Sequence, residues 1–562
     1  MRWNPKSKPD LVKVKHLQET LKIDEIIATL LVQRGIGNYN QAKTFFRPSL
    51  EDLHDPFLMK DMQRAVDRIE QAIENKENIL IFGDYDVDGT TAVALVSSYL
   101  RTYYEQVATY IPDRYLEGYG VSFMGIDFAA DNDISLIIAL DCGIKSIAHV
   151  AYAKEKNIDF IICDHHRPGA ELPDAIAVLD PKREDCFYPY DELCGCGIGF
   201  KLIQALAKNR NLNSLDLVPY LDLVATAIAA DIVPITGENR TLAKFGLEVI
   251  NTAPRPGIKA LIQNVKKQEL TITDVVFIIA PRINAAGRIK HGNEAVALLT
   301  EFDFEQASFF ASEIEQYNKD RKDLDKQITA EALLQIEKNS EQNKYATVVF
   351  QENWHKGVIG IVASRLVENY YRPTIVFTKS GDKYAASARS VKDFDIYNAL
   401  EACAEHLEQF GGHKYAAGMT LKAENYEKFK AAFEKQVRET IPKELLIPEI
   451  SYDFELELSQ INPKLIRLLQ QFEPFGPQNM TPVFYTKGLK DTGYAKCLGA
   501  NEEHLKAFVY QNNSEKFGAV GFGIGKKKSI LESQKAFEAV YCIDENEFNQ
   551  AKSIQLRFKD IR

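Results

Sequence analysis

Two acidic motifs stand directly behind buried-strand patterns, and this arrangement limits the possible fold more than any other feature of the chain. Ile79-Leu-Ile-Phe82 leads through one glycine into Asp84-Tyr-Asp-Val-Asp-Gly89, and Phe160-Ile-Ile-Cys163 leads into Asp164-His-His166. Short apolar runs of this kind predict strands of a parallel sheet buried on both faces. Open α/β sheets gather their ligands at the carboxyl ends of the strands, where both motifs would lie. Further runs at 107–111, 135–140 and 175–179 alternate with helical patterns up to about residue 235, as a doubly wound sheet requires.

Crowded carboxylates repel and destabilise a fold unless cations neutralise them. Asp86 and Asp88 leave one Gly89-terminated turn, Asp141 follows Leu136-Ile-Ile-Ala-Leu140, and Asp231 ends the helical run 221–230. Each element alone has a plainer reading as a turn, a helix cap or a hydrogen-bonded histidine. Their coincidence at element ends of one α/β unit points to metal. Carboxylates with one or two imidazoles and no thiolates suit Mn²⁺ or Mg²⁺, and two such ions would support in-line displacement at phosphorus.

The rest of the chain sets bounds. At 562 residues it needs three to four domains. No apolar stretch approaches membrane-helix length, and Met-Arg-Trp-Asn-Pro-Lys lacks the apolar core of a signal peptide. The eight cysteines show no disulfide or zinc spacing, and Cys194-Gly-Cys196 reads as a small-residue turn, so a reducing cytoplasm is expected. A net charge of −11 excludes a chain that coats nucleic acid indiscriminately but leaves room for a basic groove.

Residues 1–75 look helical and connective, ahead of a first domain at 76–300. The stretch 302–338, free of Gly and Pro, reads as a long exposed helix, with the connector placed at 301–343. Strand patterns at 346–350, 374–377 and 384–387 around a helix at 360–368 predict a second, smaller α/β domain at 344–445. Residues 446–562 alternate apolar and polar residues between Gly, Asn and Lys turns, as in a small β-barrel.

Asp84-Tyr-Asp-Val-Asp-Gly89, Asp141-Cys-Gly143, Asp164-His-His166 and Thr226-Ala-Ile-Ala-Ala-Asp231 resemble, in order and spacing, the metal-binding motifs of the DHH phosphoesterase superfamily. Ile111-Pro-Asp-Arg-Tyr-Leu-Glu-Gly-Tyr-Gly120, Pro281-Arg-Ile-Asn-Ala-Ala-Gly-Arg288 and Gly411-Gly-His-Lys-Tyr-Ala-Ala-Gly418 resemble the narrower RecJ family, and the likeness extends from Arg34-Gly-Ile36 to Phe475-Gly-Pro-Gln-Asn479. The resemblance implies a parallel-sheet DHH domain joined by the long helix to an α/β DHHA1 domain, followed by an OB-fold. It implies a single-strand-specific 5′-to-3′ DNA exonuclease with two Mn²⁺ or Mg²⁺ ions, acting in recombination and repair, with single-strand-binding protein and a helicase as partners.

On these positions the resemblance makes Asp86, Asp88, Asp141, His165 and Asp231 the metal ligands, with Asp141 as the bridge. Asp164 would orient a metal-bound histidine, and His166 would touch substrate or assist proton transfer. Many superfamily members carry a histidine where this chain has Phe82; Asp84 is the candidate to replace it. Arg114, Ser387 and Arg389 would hold the 5′ end, and Arg282, Asn284 and Arg288 the next phosphates. Gly411, Gly412 and His413 offer close backbone approach and a side chain, with Trp354-His-Lys-Gly357 expected on the same face. In the barrel, Lys506, Phe508, Tyr510, Phe517, Phe522 and Lys526-Lys-Lys528 are the residue types a single strand needs. Two rivals remain: a DHH phosphodiesterase for short oligoribonucleotides or cyclic dinucleotides, which would resemble only the first two domains, and a replication scaffold without catalysis.

Overall fold

The computed structural model describes residues 1–548 and 551–562. Its first sheet has five parallel strands: β1 (Asn78–Gly83), β2 (Val107–Tyr110), β3 (Ile134–Leu140), β4 (Asp159–Cys163) and β5 (Ala177–Leu179), in the order β2-β1-β3-β4-β5. The apolar runs serve two cores because side chains alternate across a strand. Ile79, Ile81, Ile138 and Ile161 face one helical layer, whereas Leu80, Phe82, Ile137 and Phe160 face the other. Helix α1 (Val87–Leu100) follows β1 and is buried along its whole length, wedged against α2 (Gly195–Asn209) and α3 (Leu221–Ala230).

Helix α4 (Ala280–Ile289) leads toward α5 (Phe304–Lys338), a 35-residue rod about 52 Å long at 1.5 Å per residue. The expectation of an exposed helix is corrected by its packing. Ala307, Ala311 and Ile314 enter the first core, and Ile328, Ala332 and Ile336 enter that of the second domain. Each stripe is short and surrounded by charge, so the sequence shows mainly the polar face.

The second sheet contains β6 (Thr347–Phe350), β7 (Thr374–Ser380), β8 (Lys383–Arg389), β9 (Gln409–His413) and β10 (Ala416–Lys422), in the order β9-β10-β8-β7-β6. Helix α6 (Ile359–Tyr370) covers one face. Phe429 and Phe433, from the helix Tyr426–Thr440, cover the other. Beyond it, strands Phe484–Asp491, Phe537–Phe548, Ala551–Ile561, Phe517–Gly521 and His504–Gln511 pair in that order, and the last pairs with the first, closing an OB-type barrel.

The N-terminal residues are not a connector. Arg2–Pro5 pairs in parallel with Glu449–Tyr452, and Leu17, Ile27, Leu30 and Leu31 share a single core with Phe472, Phe484 and Tyr541 of the C-terminal domain. The two ends of the chain therefore fold together. Among the described residues no helix is long and apolar enough to cross a membrane.

Candidate metal centre and phosphate cleft

The carboxyl ends of β1, β3 and β4 bring the predicted acidic residues together. Asp141 lies just beyond β3 in the left-handed region (φ 59°), a conformation that turns its side chain across the sheet end and that Asp tolerates better than most residues. His165 Nε2 lies 3.1 Å from Asp141 Oδ1, 3.8 Å from Asp88 Oδ2 and 3.7 Å from Asp231 Oδ2. Asp88, His165 and Asp231 form one group able to hold a cation, and Asp141, His165 and His166 form another, so His165 is common to both.

Local sequence explains the placement. Asp86 caps α1 and accepts from the Gly89 N–H at 3.1 Å. A side chain at Gly89 would collide with the Asp84 backbone, so only glycine allows the turn. Asp88 accepts from the N–H groups of Gly195 (2.6 Å) and Cys196 (2.7 Å) at the start of α2. The Cys194-Gly-Cys196 segment thus anchors a carboxylate, and Gly195 leaves the space that Asp141 Cβ fills.

Asp164 accepts from the backbone N–H groups of Ile144, His165 and His166 and pairs with His166 Nδ1 at 2.7 Å. It therefore orients His166. Burial opposes the charge on Asp164, but the His166 bond overrides this and holds its pKa at about 2. His166 is raised in return. Its Nε2 meets the hydroxyl of Tyr119 at 3.1 Å, and that hydroxyl also approaches the Asp141 carbonyl at 3.3 Å. Tyr119 was not singled out from sequence, although it stands in the same segment as Arg114; only its position beside His166 marks it.

The centre is strained electrostatically without cations. Burial and the charge of Asp86 push Asp84 up to about 8 and Asp88 to about 6. Burial and Asp88 drive Asp141 far above the usual carboxylate range. Burial and neighbouring His166 hold His165 neutral, with its pKa lowered to about 3. Among the described residues, Asp84 Oδ2 and Asp141 Oδ1 are buried and accept no hydrogen bond. Oxygen donors with a neutral imidazole, left unsatisfied in the protein, fit a hard divalent ion. Phe82, at the position where many superfamily members carry a histidine, stacks on Tyr110 in the core, and Asp84 lies one residue beyond the strand.

The expected phosphate residues fall into two groups. Arg114 stacks on the Tyr85 ring at 4.0 Å. Arg288 has its pKa lowered to about 9 by burial and by the neighbouring cations Arg114 and Arg389. Arg389 donates to Ser387 Oγ at 3.0 Å, and both side chains press on Gly360 in the first turn of α6. His413 is lowered by burial and then by Arg389, with a smaller contribution from His166. Gly357, set against Tyr115 and Arg288 of the first domain, and Gly360, set against Ser387 and Arg389, are three residues apart, so these cationic groups meet at one domain junction. Asn284 shares a face of α4 with Arg288, four residues on.

Arg282 is placed differently: its guanidinium is committed to Glu315 of α5 and the Ile278 carbonyl, both at 2.5 Å. Trp354 is buried and donates to Glu331 at 2.7 Å, so it wedges the domain onto α5 and does not line the cleft. His355 meets Tyr115 edge-on at 6.2 Å, and the Arg288 guanidinium donates to the Gly357 carbonyl at 3.0 Å, clasping the two domains. Gly411, Gly412 and His413 lie on the exposed edge strand β9, where Gly412 has a φ of 144° and no room for a Cβ. In the barrel, Phe508 and Phe522 are exposed beside Lys506, whereas Phe517 is core. Lys527 and Lys528 are engaged by Asp560 and Glu532.

Three family models match in chain order: the DHH family N-terminal domain at 78–228, the DHHA1 domain at 342–439 and the RecJ OB domain at 452–560. The fold and the carboxylate–imidazole cluster thus place the chain in the DHH class. The single-stranded-DNA-specific exonuclease RecJ of Bacillus subtilis is 38% identical over 568 residues, covering 100% of this chain and 70% of its own length. The Salmonella typhimurium protein of the same name is 33% identical, covering 90% of both chains. The crystal structure of RecJ from Thermus thermophilus in complex with Mn²⁺ superposes with a TM-score of 0.85 at 27% identity, covering 100% of this chain and 79% of that one. The chain belongs to the RecJ family.

Proposed function

We propose that this chain is a single-stranded-DNA-specific exonuclease that uses two divalent ions, Mn²⁺ or Mg²⁺, and removes nucleotides from the 5′ end. The observation behind this reading is the convergence of Asp88, Asp141 and Asp231 on His165 Nε2, in a domain whose Arg288 and Tyr115 contact Gly357 and His355 of the second. Asp86, Asp88, Asp141, His165 and Asp231 would hold the ions, with Asp84 close behind. Ions bound there would lower the pKa of a water molecule and neutralise charge on the phosphate. The RecJ structures from Thermus thermophilus were determined with Mn²⁺ and with Mg²⁺.

The protein's own groups account for grip and polarity. Ser387, Arg389 and the first turn of α6 form an anion site suited to a terminal 5′-phosphate. Arg114, Arg288 and Asn284 would hold the following phosphate, and His413 the sugar–phosphate beside the metal centre. Asp164 fixes His166 with Nε2 toward the cleft, so a protonated His166 can donate to the departing 3′-oxygen. The Tyr115–His355 clasp closes one side of the cleft, which favours a single strand over a duplex. A duplex would then have to be opened first, which supports a helicase and a single-strand-binding protein as partners in cytoplasmic recombination and repair.

Two experiments test the reading. A long 5′-phosphorylated single strand will be degraded far faster than a dinucleotide; the reverse preference would assign the chain to the short-oligonucleotide phosphodiesterases. Arg389→Ala will raise KM for a 5′-phosphorylated strand about 10- to 100-fold, the loss of about 1.5–3 kcal/mol from a charge-assisted hydrogen-bonded contact. Its effect on a 5′-hydroxyl strand will be much smaller. Equal effects on the two strands would remove Arg389 from the 5′ pocket.

A further inference from the structure

We infer that the Phe475-Gly-Pro-Gln-Asn479 segment of the C-terminal domain is a positioning device for Asp231, an inference that rests on the reading of Asp231 as a metal ligand. Asp231 ends α3, and the next residue, Ile232, is a β-branched side chain held at a φ of 60° and largely exposed. Such a residue does not adopt this conformation unless its surroundings impose it. Two sets of contacts do so. Within the catalytic domain, the Pro234 carbonyl accepts from Asn239 Nδ2 at 3.1 Å and from the Tyr190 hydroxyl at 3.4 Å.

The other set comes from more than 240 positions further along the chain. The Ile235 N–H donates to the Pro477 carbonyl at 2.9 Å, and Ile235 is buried. A Cβ built on Gly476 would lie 2.4 Å from Ile235 Cγ1, so the absence of a side chain there sets how closely the segment approaches the Asp231 turn. The helix that follows the turn, Gly237–Thr252, is gripped by the same stretch. Arg240 donates to the carbonyls of Gln471, Phe472, Glu473 and Pro474, and to that of Phe45 from the N-terminal helices.

Asn479 makes the segment rigid. Its Nδ2 donates to the carbonyls of Phe472 (2.7 Å) and Pro474 (2.9 Å), while its Oδ1 accepts from Arg34 Nε at 2.7 Å. Arg34 also reaches the carbonyls of Leu30 and Met480. The co-folded N-terminal helices and C-terminal domain therefore brace the turn that carries Asp231, whose carboxylate stands 3.7 Å from His165 Nε2. The C-terminal domain thereby acts on the metal centre.

The test uses the full chain with Mn²⁺ as the probe, measuring Mn²⁺ affinity from the electron paramagnetic resonance signal of the free ion, and kcat and KM on single-stranded DNA. Gly476→Ala will weaken Mn²⁺ binding about 10-fold, the scale of a lost supporting contact. It will lower kcat and leave KM unchanged. Adding Ile235→Ala, which removes the atom the new methyl would strike, will restore both. Should Gly476→Ala not fold, Asn479→Ala will give the same loss in Mn²⁺ affinity by freeing the segment. Wild-type Mn²⁺ affinity in a folded Gly476→Ala protein would overturn the inference, as would failure of Ile235→Ala to rescue. Asp231→Ala serves as the control: if it alone weakens Mn²⁺ binding, only the bracing is wrong, and if it does not, the ligand reading fails as well.

Discussion

Asp141→Asn will reduce kcat on single-stranded DNA by at least about 10³-fold, equivalent to about 4 kcal/mol of transition-state stabilisation from the metal centre. The substitution suits this position because asparagine tolerates the left-handed backbone (φ 59°) and matches the volume that Gly195 leaves open. Folding should therefore survive. What changes is the donor offered to metal: the Asp141 carboxyl is buried, with Oδ1 3.1 Å from His165 Nε2. In the metal-free protein the variant should be no less stable than the original chain, because asparagine needs no proton taken up to stay neutral while buried beside Asp88 and Asp86. Loss of activity together with retained or increased Tm distinguishes a ligand from a packing residue. A folded Asp141→Asn protein with near-normal kcat would remove Asp141 from the centre.

Metal-free protein will lose thermal stability as pH rises from about 6.5 to 8, and saturating Mn²⁺ or Mg²⁺ will abolish that trend. Asp84, raised to about 8, keeps a proton in the folded state that the unfolded chain has already released above the ordinary carboxylate range, so its contribution falls across that interval and levels off above about 8. His166 acts in the same direction, because a raised histidine loses its stabilisation as pH passes its folded pKa. His165, lowered to about 3, acts oppositely, but only below the ordinary histidine value, where the unfolded chain takes up a proton. Asp164, held at about 2, contributes stability above the ordinary carboxylate range and changes nothing in this window. Metal ions cancel the trend because their ligands must be deprotonated, so binding strengthens as pH rises. A scanning-calorimetry series reads the effect as a few degrees, since about 1 kcal/mol corresponds to about 2–4 °C in a domain of 150–250 residues. Equal slopes with and without metal would mean that the carboxylates are not the metal's ligands.

What could be read from the sequence depended on how local each feature is. The strands of the first sheet were legible because Ile79–Phe82 and Phe160–Cys163 are continuous apolar runs, and the carboxylates follow at fixed short offsets. The acidic cluster followed from topology, since parallel strands bring their carboxyl ends to one side. Strand β9 was not legible: Gly411-Gly412-His413 has the composition of a turn, and only pairing with Ala416–Lys422 makes it an edge strand. The pairing of Arg2–Pro5 with Glu449–Tyr452 leaves no local pattern at all. Arg282 and Arg288 look equivalent in sequence. Their separation depends on the direction each takes from α4, one toward Glu315 and the other toward Arg114 and Arg389. Tyr119 and the N–H groups of Gly195 and Cys196 serve the centre through contacts that no spacing rule foretells.

A two-ion centre joined to a 5′-end pocket fixes the direction of attack. A long single strand labelled on its 5′-terminal nucleotide, in a Mn²⁺ reaction quenched at the earliest turnovers, reads that direction. The label should appear at once as mononucleotide, with no labelled intermediates of decreasing length. A ladder of shortening fragments that keep the 5′ label would show attack from the 3′ end and contradict the account.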